Sequence, residues 1–248
     1  MAMGRKHQNG GGNGEAANLK VISWNLLRLI GAGVRDVAAL IEEHRPDVML
    51  MQEATAEVAA LPQLVGGHFH REPMDRRVYG LAVWTPHHLP PTHAVPLPVS
   101  SMPGRVPPRL ALVAQVRGVS FANVHLSHGQ FLNRWQLLHV ARTLRGPAAI
   151  IGDYNAVGPI KLAGYHDIGP RDPTHCAGNI VYCRLDRCMA RGLRCGGARV
   201  LDRGPSDHHP IVLDLTVTAG VGVQGPTPET AGASRRIAAG AERWLRTM

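Results

Sequence analysis

The sequence predicts an α/β protein in which two β-sheets pack together with helices outside. Three observations lead there. Eight short segments read as strands and only a few as helices, which suits packed sheets better than a helix bundle. The 248 residues, 44% of them hydrophobic, suffice to bury a full core, and nothing in the middle resembles a linker, so one large domain is expected. Several apolar runs also stop abruptly at polar or ionisable residues, a pattern that concentrates functional groups at strand ends.

Residues 1–18 are rich in Gly and Asn, lack apolar periodicity and are expected to be disordered. Residues 19–25 alternate apolar and polar and predict a strand ending at Asn25. Val37, Leu40 and Ile41 share one face of a helix over 36–43, which Pro46-Asp47 stops. The continuous run from Val48 to Met51 predicts a strand buried on both faces, with Glu53 at its end. Further strands are expected over 78–84, 110–116 and 119–126, the last carrying Asn123-Val124-His125. Residues 133–144 predict a basic amphipathic helix with Trp135, Leu138 and Arg142 among its positions. The strand Ala148 to Ile151 then runs into Gly152-Asp153-Tyr154-Asn155. Residues two apart in an extended chain point the same way, so Asp153 and Asn155 face one site and Tyr154 turns away. By itself the same tetrapeptide reads equally well as a β-turn. Strands over 184–189, holding Asp186, and 210–217, introduced by Asp207-His208-His209, complete the body, 19–217. Beyond it, in 218–248, a Gly/Pro/Thr linker leads to a basic amphipathic helix with Ile237, Ala241, Trp244, Leu245 and Met248 on one face. Such a helix can dock on its own domain or lie on an anionic membrane.

The 27 Lys and Arg outnumber the 18 Asp and Glu. Arg5 and Lys6 against Glu15 at the start, and four Arg against two Glu after residue 217, leave six of the nine net positive charges in the body. A basic body suits a polyanionic partner, although a general Arg preference gives the same count. No stretch reaches the ~18 apolar residues of a membrane span. Met1 to Ala17 lacks the apolar core of a secretory leader, so a soluble cytoplasmic protein is expected. Cys176, Cys183, Cys188 and Cys195 form no C-x-x-C pair and are poorly spaced for zinc. Cys188 and Cys195 fit across a hairpin at Arg191-Gly192, but reduced thiols are the expectation in a cytoplasmic protein.

Asn25, Glu53, His125, Asp153 with Asn155, Asp186, and Asp207 with His208 all fall at or near strand ends. Each has an ordinary explanation as a turn or a surface group, but burying so many polar groups without a use is expensive. Together they support phosphate ester hydrolysis. Carboxylates bind a hard divalent cation such as Mg²⁺ or Mn²⁺, the cation neutralises charge on phosphoryl oxygens, and a histidine paired to an aspartate handles protons or charge.

The ordered motifs Ile22-Ser23-Trp24-Asn25, Pro46-Asp47-Val48 through Gln52-Glu53, Asn123-Val124-His125, Gly152-Asp153-Tyr154-Asn155, Arg184-Leu185-Asp186 and Ser206-Asp207-His208-His209-Pro210 resemble the endonuclease/exonuclease/phosphatase superfamily, which includes deoxyribonuclease I. The resemblance spans 19–217 and implies a four-layer α/β sandwich of two mainly antiparallel sheets, with the site at one edge. It makes Glu53 the principal metal ligand, helped by Asp207 and Asn25, with Mg²⁺ or Mn²⁺ as cofactor. Asp153 would orient or deprotonate the attacking water or protonate the leaving oxygen. Asn155, with Asn25, would bind the scissile phosphate. His208, held by Asp186, would stabilise the transition state together with His125.

A histidine at position 125 resembles the deoxyribonuclease, sphingomyelinase and inositol-phosphatase branches more than the abasic-site endonucleases. The leading expectation is a metal-dependent phosphodiesterase acting on nucleic acid, with Arg76, Arg77, Arg105, Arg109 and Arg134 as candidates for phosphate contacts. The second is a phosphoesterase of phospholipid or inositol-phosphate head groups, held at an anionic membrane by the C-terminal helix. A non-catalytic binding module would be expected to have lost at least one member of the set, and none is missing. No obligate protein partner is expected.

Overall fold

The computed structural model describes residues 18–99, 107–178 and 180–218. Apart from Asn18 and Thr218, the expected disordered start and the C-terminal linker and helix lie outside the described residues, as does Arg105. In order, the chain forms β1 (Asn18–Asn25), α1 (Val34–His44), β2 (Val48–Thr55), α2 (Leu61–Val65), β3 (His68–Pro73) and β4 (Tyr79–Thr85). It continues through β5 (His93–Pro96), β6 (Leu110–Val116), β7 (Val119–His125), α3 (Gln130–Thr143), β8 (Ala148–Asp153) and β9 (His166–Asp167). It closes with the hairpin β10 (His175–Ala177) and β11 (Val181–Cys183), then β12 (Asp186–Arg191), β13 (Leu193–Val200) and β14 (Ile211–Val217).

The long strands form two six-stranded sheets, ordered β13-β14-β1-β2-β4-β3 and β5-β6-β7-β8-β12-β9. Three apolar clusters separate the layers. Leu19, Val21, Val48, Leu50, Phe121, Ile151, Cys188 and Leu213 fill the space between the sheets. Ile22, Trp24, Met49 and Met51 face outward onto Val37, Ala38 and Ile41 of α1. Ala122, Val124, Ala148, Ile150 and Met189 face outward onto Leu137, Val140 and Ala141 of α3. The result is the four-layer α/β sandwich, helix–sheet–sheet–helix.

The period-2 alternation of strand side chains fixes the location of the site. Odd positions of β1 and β7, even positions of β2 and β12, and odd positions of β8 line the inter-sheet space. Asn25, Gln52, Asn123, His125, Asp153 and Asp186 share those parities, so they continue the inter-sheet core into one polar edge. There the apolar filling gives way to hydrogen bonds. Gln52 Nε2 donates to Ser23 Oγ (3.0 Å) and to Asn123 Oδ1 (2.7 Å), while Asn123 Nδ2 donates to the carbonyls of Met51 and Ala82, both at 2.9 Å. These bonds tie the two sheets together at the floor of the site.

Gly152 is required at this junction. Its φ is 140°, and a Cβ there would lie 2.1 Å from the Val124 carbonyl oxygen on the neighbouring strand. Gly152→Ala is expected to lower the unfolding free energy by at least ~1–3 kcal/mol. Urea denaturation would check this, and unchanged stability would contradict the close approach.

One expectation is refined and two need correction. The packed face of α3 is Asn133, Gln136, Leu137, Val140 and Ala141, while Trp135 is half exposed. The polar members of that face pin loops: Asn133 Nδ2 donates to the Asn155 carbonyl, and Gln136 Oε1 accepts from the Ser127 amide. Arg184 precedes β12 rather than opening it. Its guanidinium makes a two-pronged pair with Asp167, each contact 2.7 Å. The Arg191-Gly192 turn does join β12 to β13, but Cys188 and Cys195 then lie on strands of different sheets, and all four thiols are free.

Candidate active site

Glu53 owes its position to an irregularity. The β2–β4 register shifts between Met51 and Ala54, and Glu53 itself takes a left-handed backbone, φ 53°. A bulge of this kind re-aims a side chain at the end of a strand. Glu53 Oε2 is buried with no hydrogen-bond partner. Burial raises its pKa; Arg28 and Arg109 oppose that rise, Asp153 adds to it and His208 opposes it. Asp207, in the turn before β14, likewise has a buried Oδ1 without a partner. Leaving ionised oxygens buried and unpaired is costly, and a hard cation satisfies them. The donor set therefore fits a divalent metal ion, with Asn25 alongside. Asn25 Oδ1 already accepts from the Leu27 amide at 3.2 Å, leaving its second lone pair.

Asp153 is the hub. Its Oδ2 accepts from Asn25 Nδ2 (3.1 Å) and Asn155 Nδ2 (3.3 Å), and lies 3.4 Å from His125 Nε2 and 3.8 Å from His208 Nε2. Its Oδ1 accepts from the Asn155 backbone amide at 2.8 Å. Asp153 and Asn155 thus do face one site, and Tyr154 is turned into the core under α3. Asn155 achieves this in a left-handed conformation, φ 46°, with its other amide hydrogen on the Leu126 carbonyl. Contact with a phosphate would draw on its longer bond to Asp153.

The two histidines have opposite characters. His208 Nδ1 sits 2.8 Å from Asp186 Oδ2. Burial alone would lower the His208 pKa, but Asp186, Asp153 and Asp207 outweigh it and push the imidazole up to about 10. His125 is fully enclosed, and burial pushes it down to about 3 despite the nearby Asp153, with Arg109, His208 and His128 adding to the effect. At neutral pH His208 is a cation and His125 a neutral hydrogen-bonding group.

Side-chain hydrogen bonds to the backbone hold the His208–Asp186 pair in place. Trp24 Nε1 donates to the His208 carbonyl (3.0 Å) and Ser206 Oγ to the Asn25 carbonyl (2.7 Å). Thr174 Oγ1 accepts from the amides of Leu185 and Asp186. These bonds lash the Ser-Asp-His turn and the start of β12 to the end of β1.

Asn25, His125, Asn155 and His208 converge on Asp153, Asp186 is linked to them through His208, and Glu53 joins them through its charge. Asp207 meets a residue the sequence did not single out, His175, whose Nε2 lies 3.4 Å from Asp207 Oδ2. No sequence signal marks His175, because it lies on a three-residue strand in a polar stretch. Among the described residues, Arg109 is the candidate phosphate-contact arginine drawn into the charge balance of the site, acting on both Glu53 and His125. Arg76 is largely exposed beyond β3, and Arg134 is occupied with Gln130 and the Pro159 carbonyl.

A four-layer sandwich with acids, amides and histidines gathered at one sheet edge defines a hydrolase of the phosphoesterase class. Residues 22–208 match the model of the Endonuclease/Exonuclease/phosphatase family, and the chain belongs to that family. Among solved structures, an endonuclease/exonuclease/phosphatase from Beutenbergia cavernae is 22% identical, TM-score 0.63, covering 81% of this chain and 72% of that one. A family protein from Bacteroides thetaiotaomicron is 17% identical, TM-score 0.68, covering 82% and 99%. ANGEL2, a 2',3'-cyclic phosphatase solved with adenosine-2',3'-vanadate, is 13% identical, TM-score 0.62, covering 82% and 96%. At these identities the likeness is one of fold. No match was found among curated proteins.

Proposed function

We propose that the protein is a divalent-metal-dependent phosphodiesterase that cleaves nucleic acid, DNA or RNA, using Mg²⁺ or Mn²⁺. The observation that carries this is the pairing of two unpartnered, buried carboxylate oxygens, on Glu53 and Asp207, with the hydrogen-bonded hub at Asp153. Glu53, Asp207 and Asn25 would hold the ion, which supplies charge neutralisation at the phosphoryl oxygens. Asp153, surrounded by donors that fix its direction, orients the attacking water and takes its proton. Cationic His208, backed by Asp186, donates to a non-bridging oxygen as charge builds there. His125, being neutral, contributes a hydrogen bond but no charge. Asn155 binds the scissile phosphate.

The nucleic-acid assignment is supported by the basic body and by Arg28 and Arg109 near Glu53. ANGEL2, with its bound adenosine-2',3'-vanadate, shows a similar fold taking a nucleoside-derived ligand. Four free thiols suit a cytoplasmic setting.

One observation favours the second reading, phospholipid or inositol-phosphate head groups. Leu29 and Ile30 after β1, Phe131 at the start of α3, and Ile180, Val181 and Tyr182 before β12 are all more than half exposed. Each belongs to a segment adjoining a site strand. No helix among the described residues is long and apolar enough to cross a membrane. Under this reading these exposed side chains, or the basic amphipathic segment the sequence predicts within 219–248, meet the lipid surface, and deleting 219–248 should then reduce vesicle binding.

The deciding measurement is a substrate panel with Mg²⁺ comprising plasmid DNA, RNA, bis-p-nitrophenyl phosphate, sphingomyelin and inositol phosphates. Cleavage of DNA or RNA is expected, abolished by EDTA and restored by Mg²⁺ or Mn²⁺. Undiminished turnover after rigorous metal removal would overturn the mechanism, and turnover restricted to sphingomyelin or inositol phosphates would replace the substrate.

A further inference from the structure

His175 has a position that the reaction described above does not use. The residue opens β10 and forms a β-bridge to His208. The surrounding backbone is locked to the Asp207 turn, with the Cys176 amide on the Asp207 carbonyl (2.9 Å) and the His209 amide on the Thr174 carbonyl (2.7 Å). The imidazole packs against the His208 ring, centroids 4.5 Å apart.

Its polar atoms are nonetheless left over. His175 Nδ1 and Asp207 Oδ1 are both buried without a hydrogen-bond partner. His175 Nε2 and Asp207 Oδ2 are 3.4 Å apart, beyond the about 2.7–3.2 Å of a good hydrogen bond. That spacing is natural for two atoms sharing one ion. Ligand atoms each about 2.1 Å from a metal are about 3.0 Å apart at right angles and about 3.4 Å apart at the tetrahedral angle. The side chains are 16% and 33% exposed, so an ion has access from solvent. His208 is the third donor of the same cluster, with ligand atoms within 4.8 Å of the others. Its Nδ1 is committed to Asp186 and its Nε2 lies 3.8 Å from Asp153 Oδ2, so His175 is the nitrogen donor paired most closely with Asp207.

We propose that His175 is a metal ligand acting with Asp207, and that its nitrogen biases the site away from Mg²⁺, modestly toward Mn²⁺ and strongly toward Zn²⁺. The reasoning is one of donor type. Glu53, Asp207 and Asn25 offer oxygen alone, the set that suits Mg²⁺, whereas an imidazole nitrogen adds affinity for Mn²⁺ and much more for Zn²⁺ while adding little for Mg²⁺. The inference rests on the metal-dependent reading of the site, but its readout does not require turnover.

The test uses the metal-free full-length chain, titrated calorimetrically with Mg²⁺, Mn²⁺ and Zn²⁺, together with pulsed electron paramagnetic resonance of bound Mn²⁺. The wild type should show imidazole nitrogen coupled to Mn²⁺, and His175→Gln should lose that coupling. In the same variant Zn²⁺ affinity should fall by about tenfold or more while Mg²⁺ affinity stays within about threefold. His175→Asn serves as a second, smaller replacement, with circular dichroism and thermal melting to verify folding. Asp207→Asn should weaken all three ions. Absence of nitrogen coupling in the wild type, or equal loss for Mg²⁺ and Zn²⁺ in folded His175→Gln, would overturn the proposal. If nitrogen-coupled Mn²⁺ binds but no phosphodiester is cleaved, the functional reading falls and the ligand assignment stands. If cleavage is metal-dependent without nitrogen coupling, only the ligand assignment falls.

Discussion

Glu53→Gln is expected to reduce metal-dependent phosphodiester cleavage by about a thousandfold or more. Glutamine keeps the length and shape of the side chain, so the β2 bulge that aims it is retained. What is lost is the negative charge on an oxygen that has no protein partner. The same replacement should leave the metal-free protein as stable as the wild type or slightly more so, because burial of this carboxylate outweighs the relief from Arg28 and Arg109 and so opposes folding. Added Mg²⁺ or Mn²⁺ should raise the melting temperature of the wild type but not of the variant, since only binding to the native state stabilises it. Paired thermal melts and rate measurements read both effects. Near-normal turnover in a folded variant would remove Glu53 from the mechanism.

The second large effect belongs to Asp186. Asp186→Asn removes a principal force that raises the His208 pKa, leaving only Asp153 and Asp207 against the downward pull of burial. In the wild type a folded-state value of about 10 lies above the ordinary value of 6.5, so His208 stays cationic through neutral pH. The stability this contributes is fully present below about pH 6.5 and is lost as the pH rises through about 10. The variant should therefore lose most stability relative to wild type in acid and neutral solution, and the gap should narrow above pH 10. Its rate should fall by about a hundredfold or more at neutral pH. The alkaline limb of its pH–rate profile should also move down from near 10. Denaturation at several pH values and a full pH–rate profile supply the measurements. An unmoved alkaline limb would show that His208 does not act as the charged donor.

The central strands were legible because they are covered on both faces or alternate cleanly. β2 reads as an unbroken apolar run since it lies between β1 and β4 under α1. The four strands at the sheet edges, β13, β3, β5 and β9, carry no comparable signal. Leu193–Val200 contains two glycines and two arginines, and His93–Pro96 is four residues long and ends in proline. An edge strand has one free side and little to bury, so its identity depends on the neighbour it pairs with. The hairpin of β10 and β11 was hidden for the same reason, and His175 with it.

The sequence by itself determined the succession of strands, the two-sheet sandwich and the set of acids, amides and histidines at strand ends. Those features follow from local periodicity, which needs no partner to be read. Tertiary structure alone decided that Asp153 is the hub, that His208 is charged while His125 is neutral, that Glu53 is aimed by a bulge, and that His175 stands beside Asp207. Each of these depends on distance, burial and the sign of neighbouring charges. Such quantities arise only when segments as far apart as Asn25 and Ser206 are brought within a hydrogen bond of one another.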